Sequence, residues 1–152
     1  MKIKSVTDDI SVAEQIAPAD VKELASQGFK SIICNRPDAE APDQPAFEAI
    51  RQAASVHGIA TGNVPVVSGK ISDIDVAAFG KTLRELPSPV LAYCRTGTRS
   101  THLWALSQAE QGTEPGQLLA VAQKAGYDLT ELRERLEKAY ASAAGSDPAG
   151  QV

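Results

Sequence analysis

Apolar positions along the chain come in short blocks whose period changes, and those changes delimit the elements. The first dozen residues predict one or two short strands. Pro18 stands near the start of a helical stretch carrying Val21, Leu24 and Ala25, which Gly28 stops. A short strand is expected over 29–35, then a loop rich in Pro and Asp over 36–45, then a helix bearing Phe47, Ile50 and Ala54 that closes at His57 and Gly58. Residues 59–67 read as another strand. Ser72 and Asp75 form a capping box, a hydroxyl to cap and a carboxylate three residues on, and Val76, Phe79, Leu83 and Leu86 then repeat at helical spacing. Beyond Pro87 and Pro89, Val90, Leu91, Ala92 and Tyr93 are all apolar, the pattern of a strand buried on both faces of a parallel sheet, and Cys94 ends it. A polar stretch to Arg99 opens a helix with Leu103, Trp104 and Leu106 that stops at Gly112, and two more helices follow. The last carries Leu129, Leu132, Leu136 and Tyr140 on one stripe, with Glu131 and Arg135, and Glu134 and Lys138, spaced for i,i+4 pairs on the other face.

Strands alternating with helices at this spacing predict an α/β three-layer sandwich with a mainly parallel central sheet and the Cys94 loop between a buried strand and a helix. The expected organisation is one catalytic domain over 1–140 and a flexible C-terminal tail over 141–152, where small and polar residues with Gly and Pro dominate.

Composition narrows the chemistry. The 152 residues carry fifteen Lys and Arg against nineteen Asp and Glu, a formal charge of −4 with no basic run, so nucleic acid is not an expected partner. No apolar run exceeds five residues and the first residues lack a signal-peptide core, so a cytoplasmic location and no membrane partner are expected. Two cysteines, Cys34 and Cys94, and two distant histidines, His57 and His102, suit neither a disulfide framework nor a metal site, and no cofactor is called for. Each cysteine is then a reactive thiol or a core residue.

Cys94 has the surroundings of a reactive one. Ligands of open α/β sheets bind at the carboxyl ends of strands, and residues 94–100 occupy such an end. Backbone N–H groups of the loop containing Gly97, backed by the positive end of a helix dipole, make an anion cradle that favours a thiolate. Arg99 supplies a planar fork for two oxygens of an oxyanion. Arg95 attracts the anion, Thr96, Thr98 and Ser100 tune the loop by hydrogen bonds, and Gly97 permits the turn. Gly, Arg and Ser or Thr coincide at these offsets from a cysteine in roughly one case in two thousand by chance. Cys34 ends an apolar strand and is expected to be an inert core thiol, the alternative being a reversible disulfide with Cys94. His57 belongs to a helix end, and His102 lies one turn beyond the loop.

Tyr93-Cys94-Arg95-Thr96-Gly97-Thr98-Arg99-Ser100 resembles the active-site loop of rhodanese sulfurtransferases. The rest of the chain, with Gln15-Ile16, Gly28-Phe29, Asn35-Arg36-Pro37-Asp38-Ala39-Glu40 and Val64-Pro65-Val66, is similar to dual-specificity phosphatases. Together the two halves resemble, over residues 5 to 140, the bacterial phosphatase-like domain of beta-lactamase-hydrolase-like proteins. That resemblance implies a dual-specificity-phosphatase-like fold, with Arg36 and Asp38 as accessory site residues. Members stand alone or are joined to a persulfide dioxygenase, and both phosphatase and sulfur-transfer activities have been ascribed to them. Cysteine phosphatases place five residues between nucleophile and arginine, whereas four separate Cys94 from Arg99. They also place an acidic residue after the segment like Val64-Pro65-Val66, where Val67 and Ser68 stand, leaving Asp38, Asp73 or Asp75 as substitutes. The shorter loop favours a sulfurtransferase in which Cys94 takes sulfur from thiosulfate or a persulfide and hands it to a thiol. A phosphatase passing through a phosphocysteine, acting on a phosphate ester, is the alternative, and a non-catalytic oxyanion-binding or redox-sensing module is the third reading.

Overall fold

Each strand is four residues or fewer, yet together they place five chain segments edge to edge. The computed structural model describes residues 1–145. Its sheet runs β1 (Ile3–Ser5), β2 (Ile10–Ala13), β5 (Val90–Tyr93), β3 (Ser31–Cys34) and β4 (Ala60–Asn63) in spatial order. β1 pairs antiparallel with β2, and the other pairings are parallel. β2, β3 and β5 are buried throughout, as a parallel sheet covered on both faces requires.

Alternation sorts the side chains between two helical layers. Ile32, Cys34, Leu91 and Tyr93 point to the face covered by α1 (Val21–Ser26) and α2 (Phe47–Val56). Ile33, Val90 and Ala92 point to the face covered by α3 (Asp73–Glu85), α4 (Thr98–Glu110), α5 (Pro115–Lys124) and α6 (Arg133–Gly145). This is the expected three-layer sandwich. A 3₁₀ turn, Pro18–Asp20, precedes α1, and another, Thr130–Leu132, precedes α6.

Local signals account for most boundaries. Ser72 Oγ accepts from the Asp75 N–H at 3.1 Å and Asp75 returns the bond to the Ser72 N–H at 2.9 Å, so the capping box starts α3 as expected. The strand expected over 59–67 is shorter. Its ladder ends at Asn63, and Val64 and Val66 donate onward to Cys34 O and Asn35 O at 2.9 and 3.0 Å, while Pro65 between them has no N–H to give. The last helix also departs from its charge pattern. Arg133 pairs with Glu137 at 3.8 Å, and Arg135 reaches Asp73 of α3 at 3.2 Å rather than Glu131. α6 continues through Gly145, into the segment that composition assigned to a tail, because Ala141, Ala143 and Ala144 have strong helix propensity. Residues 146–152 lie outside the described residues. Among the described residues no helix is long and apolar enough to cross a membrane.

Candidate active site

The parallel strands end together, and the segments leaving β2, β3, β4 and β5 line one cleft of about 1290 Å³. Asn35 ties three of these segments. It is fully buried, its N–H donates to Tyr93 O at 2.8 Å, its amide to Val64 O at 2.9 Å, and its Oδ1 accepts from Ser100 Oγ at 2.8 Å. Ser100 therefore anchors α4 to the sheet and does not face the cleft, a correction to its expected place in the anion cradle.

Cys94 follows β5 and is fully buried at the base of its loop. The Gly97 N–H donates to its Sγ at 3.0 Å. Gly97 is the N-cap of α4 and lies at φ 90°, a conformation that glycine adopts without strain. A side chain there would also meet Tyr127, whose Oη would lie 2.2 Å from the added Cβ. Tyr127 earns that proximity by donating to Thr96 O at 3.1 Å, so it holds the loop from outside. Thr101 Oγ1 donates to Gly97 O at 2.8 Å, and Thr96 and Thr98 hydroxyls bond each other at 3.0 Å. Arg95 and Thr96 are exposed on the cleft wall, with Thr98 and His102 along the same face of α4.

Arg99 is buried and closely held. Its Nη1 donates to Glu40 Oε2 at 2.8 Å and to Val66 O at 2.9 Å, and its Nη2 to Glu40 Oε1 at 2.9 Å. A guanidinium has five N–H donors, so these bonds leave the Nε–H and one Nη2–H. Hydrogen bonding to Glu40 raises the Arg99 pKa, burial opposes the rise, and the nearby Cys94 thiol adds to it. Arg36 is equally buried and shares the same carboxylate. Its Nε donates to Glu40 Oε1 at 2.9 Å and its Nη1 to Gln15 Oε1 at 3.0 Å. Hydrogen bonding to Arg99 first, and to Arg36, lowers the Glu40 pKa to about 2, against the effect of burial. Glu40 is thus an anion at any working pH.

The backbone aims Glu40 at some strain. Ala39 before it adopts φ 63°, the left-handed region that a non-glycine residue rarely enters. Gln44 braces the turn by accepting from the Glu40 N–H at 3.1 Å and donating to Pro37 O at 2.9 Å. Glu40 stands in the Asn35-to-Glu40 stretch of the sequence motif, which gives it no role at the site, and Tyr127 is absent from the motifs altogether. The unusual backbone at Ala39 is invisible in the sequence, and a glutamate in a polar loop carries no signal.

The other expected residues are placed elsewhere. Asp38 Oδ1 accepts from the Phe47 N–H at 2.9 Å and so caps α2 rather than joining the cleft. Asp75 caps α3, and Asp73, paired with Arg135, is also outside the cleft. Cys34 lies opposite Tyr93 in the β3–β5 ladder, donates to Arg36 O at 3.3 Å, and has its pKa raised chiefly by burial. Both cysteines are free thiols. His57 closes α2, away from the cleft. Among the described residues no group of three or more His, Cys, Asp or Glu could hold a metal ion.

Comparison with known proteins places this arrangement in a family. A solved structure of a "putative phosphatase" from Neisseria meningitidis Z2491 superposes with a TM-score of 0.81 at 38% identity, over 91% of this chain and 99% of that one. Tk-PTP, in a mutant form, superposes with a TM-score of 0.74 at 15% identity, over 95% of this chain and 98% of that one, a likeness of fold. A beta-lactamase hydrolase-like protein of Agrobacterium fabrum (strain C58) is 34% identical over 143 residues, 93% of this chain but 33% of the relative, so the chain spans about a third of the curated relatives it matches. Tyr127, Glu131 and Arg135 lie beyond the segment that matches the family model. That segment, residues 2–111, matches the model of the beta-lactamase hydrolase-like protein, phosphatase-like domain, and the chain belongs to this family.

Proposed function

We propose that the chain is a cysteine-dependent phosphatase of phosphate monoesters. The observation that carries this reading is the clamping of Arg99. Glu40 and Val66 O take three of its bonds, and the two N–H groups that remain form the fork of a guanidinium fixed beside Cys94. In this reading that fork holds two oxygens of a phosphoryl group while Cys94 Sγ, its proton given up to solvent, attacks phosphorus. The S–P bond forms as the P–O bond to the leaving group breaks, and the leaving oxygen takes its proton from solvent. Water then attacks phosphorus and releases a proton to solvent, the S–P bond breaks, inorganic phosphate departs, and Cys94 Sγ regains a proton from solvent. Loop N–H groups, Gly97 among them, stabilise the charge on sulfur and on the equatorial oxygens.

The reading assigns no side chain as general acid. Glu40 is too acidic to donate a proton near neutral pH, and the acids that the sequence offered, Asp38, Asp73 and Asp75, are not among the residues that line the cleft. Esters with readily departing phenolate leaving groups are then the favoured substrates, and rate falls steeply as the leaving group becomes more basic.

The sulfurtransferase expected from the loop finds no support in the comparisons, which favour the phosphatase, and the same holds for a sulfur donor, a thiol acceptor and a persulfide dioxygenase partner. One observation keeps sulfur transfer as the second reading, the four-residue spacing between Cys94 and Arg99. Parallel steady-state assays decide between them, an aryl phosphate against thiosulfate plus cyanide, on wild type and Cys94→Ser. The proposal expects hydrolysis of the aryl phosphate that Cys94→Ser abolishes. Cyanide-dependent turnover of thiosulfate without phosphate release overturns it.

A further inference from the structure

The cleft is several times larger than a phosphoryl group, and its charges are unevenly spent. At the inner end, the buried Arg36 and Arg99 share the single carboxylate of Glu40, which leaves one positive charge over; Arg95, exposed on the cleft wall, has no acidic partner among the described residues. At the mouth the balance reverses. Asp43, on the loop leaving β3, and Glu131, in the 3₁₀ turn before α6, line the cleft from opposite helical layers, and neither has an ion-pair partner among the described residues. Asp20 bonds a backbone N–H and no cation. Arg135, the cation on that side, is engaged by Asp73 at 3.2 Å. His102 adds little positive charge, since burial first, and Arg135 as well, lower its pKa against the pull of Glu131. Ile71, Leu106 and Leu132 add apolar surface to the lining.

A cleft with a positive floor, an apolar wall and an acidic mouth fits one kind of ligand. We infer that it selects phosphate monoesters whose leaving group is apolar and carries a positive charge at its far end, and that it disfavours esters bearing a second anion. A second anion at the mouth would meet the exposed carboxylates of Asp43 and Glu131, whereas an ammonium group there would be drawn in by the same carboxylates. The inference rests on the phosphatase reading for its chemistry, but the ordering of affinities does not depend on turnover.

The test uses three aryl esters, 4-methylphenyl phosphate, 4-(aminomethyl)phenyl phosphate and 4-(carboxymethyl)phenyl phosphate; because the ammonium substituent also lowers the basicity of its phenolate, the affinity order on Cys94→Ser and the salt dependence, which leaving-group chemistry does not set, carry the test. The expected order of kcat/KM for wild type is aminomethyl, then methyl, then carboxymethyl. The outer two should differ by on the order of tenfold at low salt, and the difference should shrink as salt screens the mouth. The Asp43→Asn/Glu131→Gln double variant, with both positions exposed, should flatten the order and leave the rate on the methyl ester unchanged. Binding of the same esters to Cys94→Ser, measured calorimetrically, should follow the same order. If wild type hydrolyses none of them but Cys94→Ser binds them in that order, the phosphatase reading fails and the charge selection stands. Equal or reversed order in binding, or an order insensitive to salt, overturns the inference, and the salt titration decides the matter even if the double variant does not fold.

Discussion

Replacing Glu40 by glutamine keeps the shape of the side chain and removes its charge. The carboxylate accepts three charge-assisted bonds of 2.8 to 2.9 Å, two from Arg99 and one from Arg36. Glutamine offers one acceptor oxygen, and its amide N–H groups face guanidinium donors, so both arginines lose a counter-charge while staying buried. Breaking a fully buried pair costs about 3 to 5 kcal/mol and an exposed one under about 1. The Glu40 side chain is 27% exposed, which places the loss between these limits, at about 2 kcal/mol. The pH dependence has a definite sign. The folded-state pKa of about 2 lies below the ordinary value of 4.5, so this stabilisation is complete above the unfolded value and fades as pH falls towards 2. Urea unfolding of both proteins should show a gap of about 2 kcal/mol at pH 7 that narrows steadily below about pH 4.5. In activity, Arg99 loses its alignment while the floor gains net positive charge. The kcat for an aryl phosphate should therefore fall about tenfold to a hundredfold with little change in KM. A stability gap that is absent, or that does not change with pH, refutes the argument that Glu40 is the anion holding these arginines.

Three further outcomes follow from the same geometry. Tyr127→Phe removes the bond to Thr96 O but keeps the ring over Gly97, so melting should fall only slightly, by the equivalent of about 1 kcal/mol, while kcat drops severalfold from a looser loop. Gly97→Ala combines a positive φ with a 2.2 Å approach to Tyr127 and should destabilise by about 2 kcal/mol or more in thermal melts, with a Tyr127→Phe background giving partial relief because it removes the hydroxyl that is struck. Asp38→Asn should leave activity on an aryl phosphate within about twofold of wild type, since the residue caps α2, and a bell-shaped pH profile that loses one limb in this variant would return it to the catalytic machinery.

Much of this architecture is written in local patterns. The capping box at Ser72 and Asp75, the all-apolar β5 and the glycine-containing loop after it each depend on residues adjacent in the chain, and each is found where the pattern predicts. What the patterns do not carry is pairing over distance. Glu40 and Arg99 are 59 residues apart, and what joins them is a left-handed alanine braced by Gln44. Arg135 has a plausible partner four residues away in Glu131, yet the packing of α6 against the rest of the domain brings it to Asp73. Ser100 looks like a loop hydroxyl in the sequence but is turned inward by Asn35, a residue whose burial depends on three converging strands. Asp38 sits beside Arg36 in sequence, and the loop that carries Glu40 into the cleft leaves it at the N-terminus of α2 instead.

The central claim is that Cys94 carries a phosphoryl group, and the most direct measurement is intact-protein mass spectrometry after rapid acid quench of a reaction with an aryl phosphate, followed by fragmentation to locate the adduct. The account predicts a phosphoryl group on Cys94 that is absent from Cys94→Ser, with Cys34 unmodified. An extra sulfur on Cys94 after thiosulfate, with no phosphoryl adduct from the aryl phosphate, would contradict it.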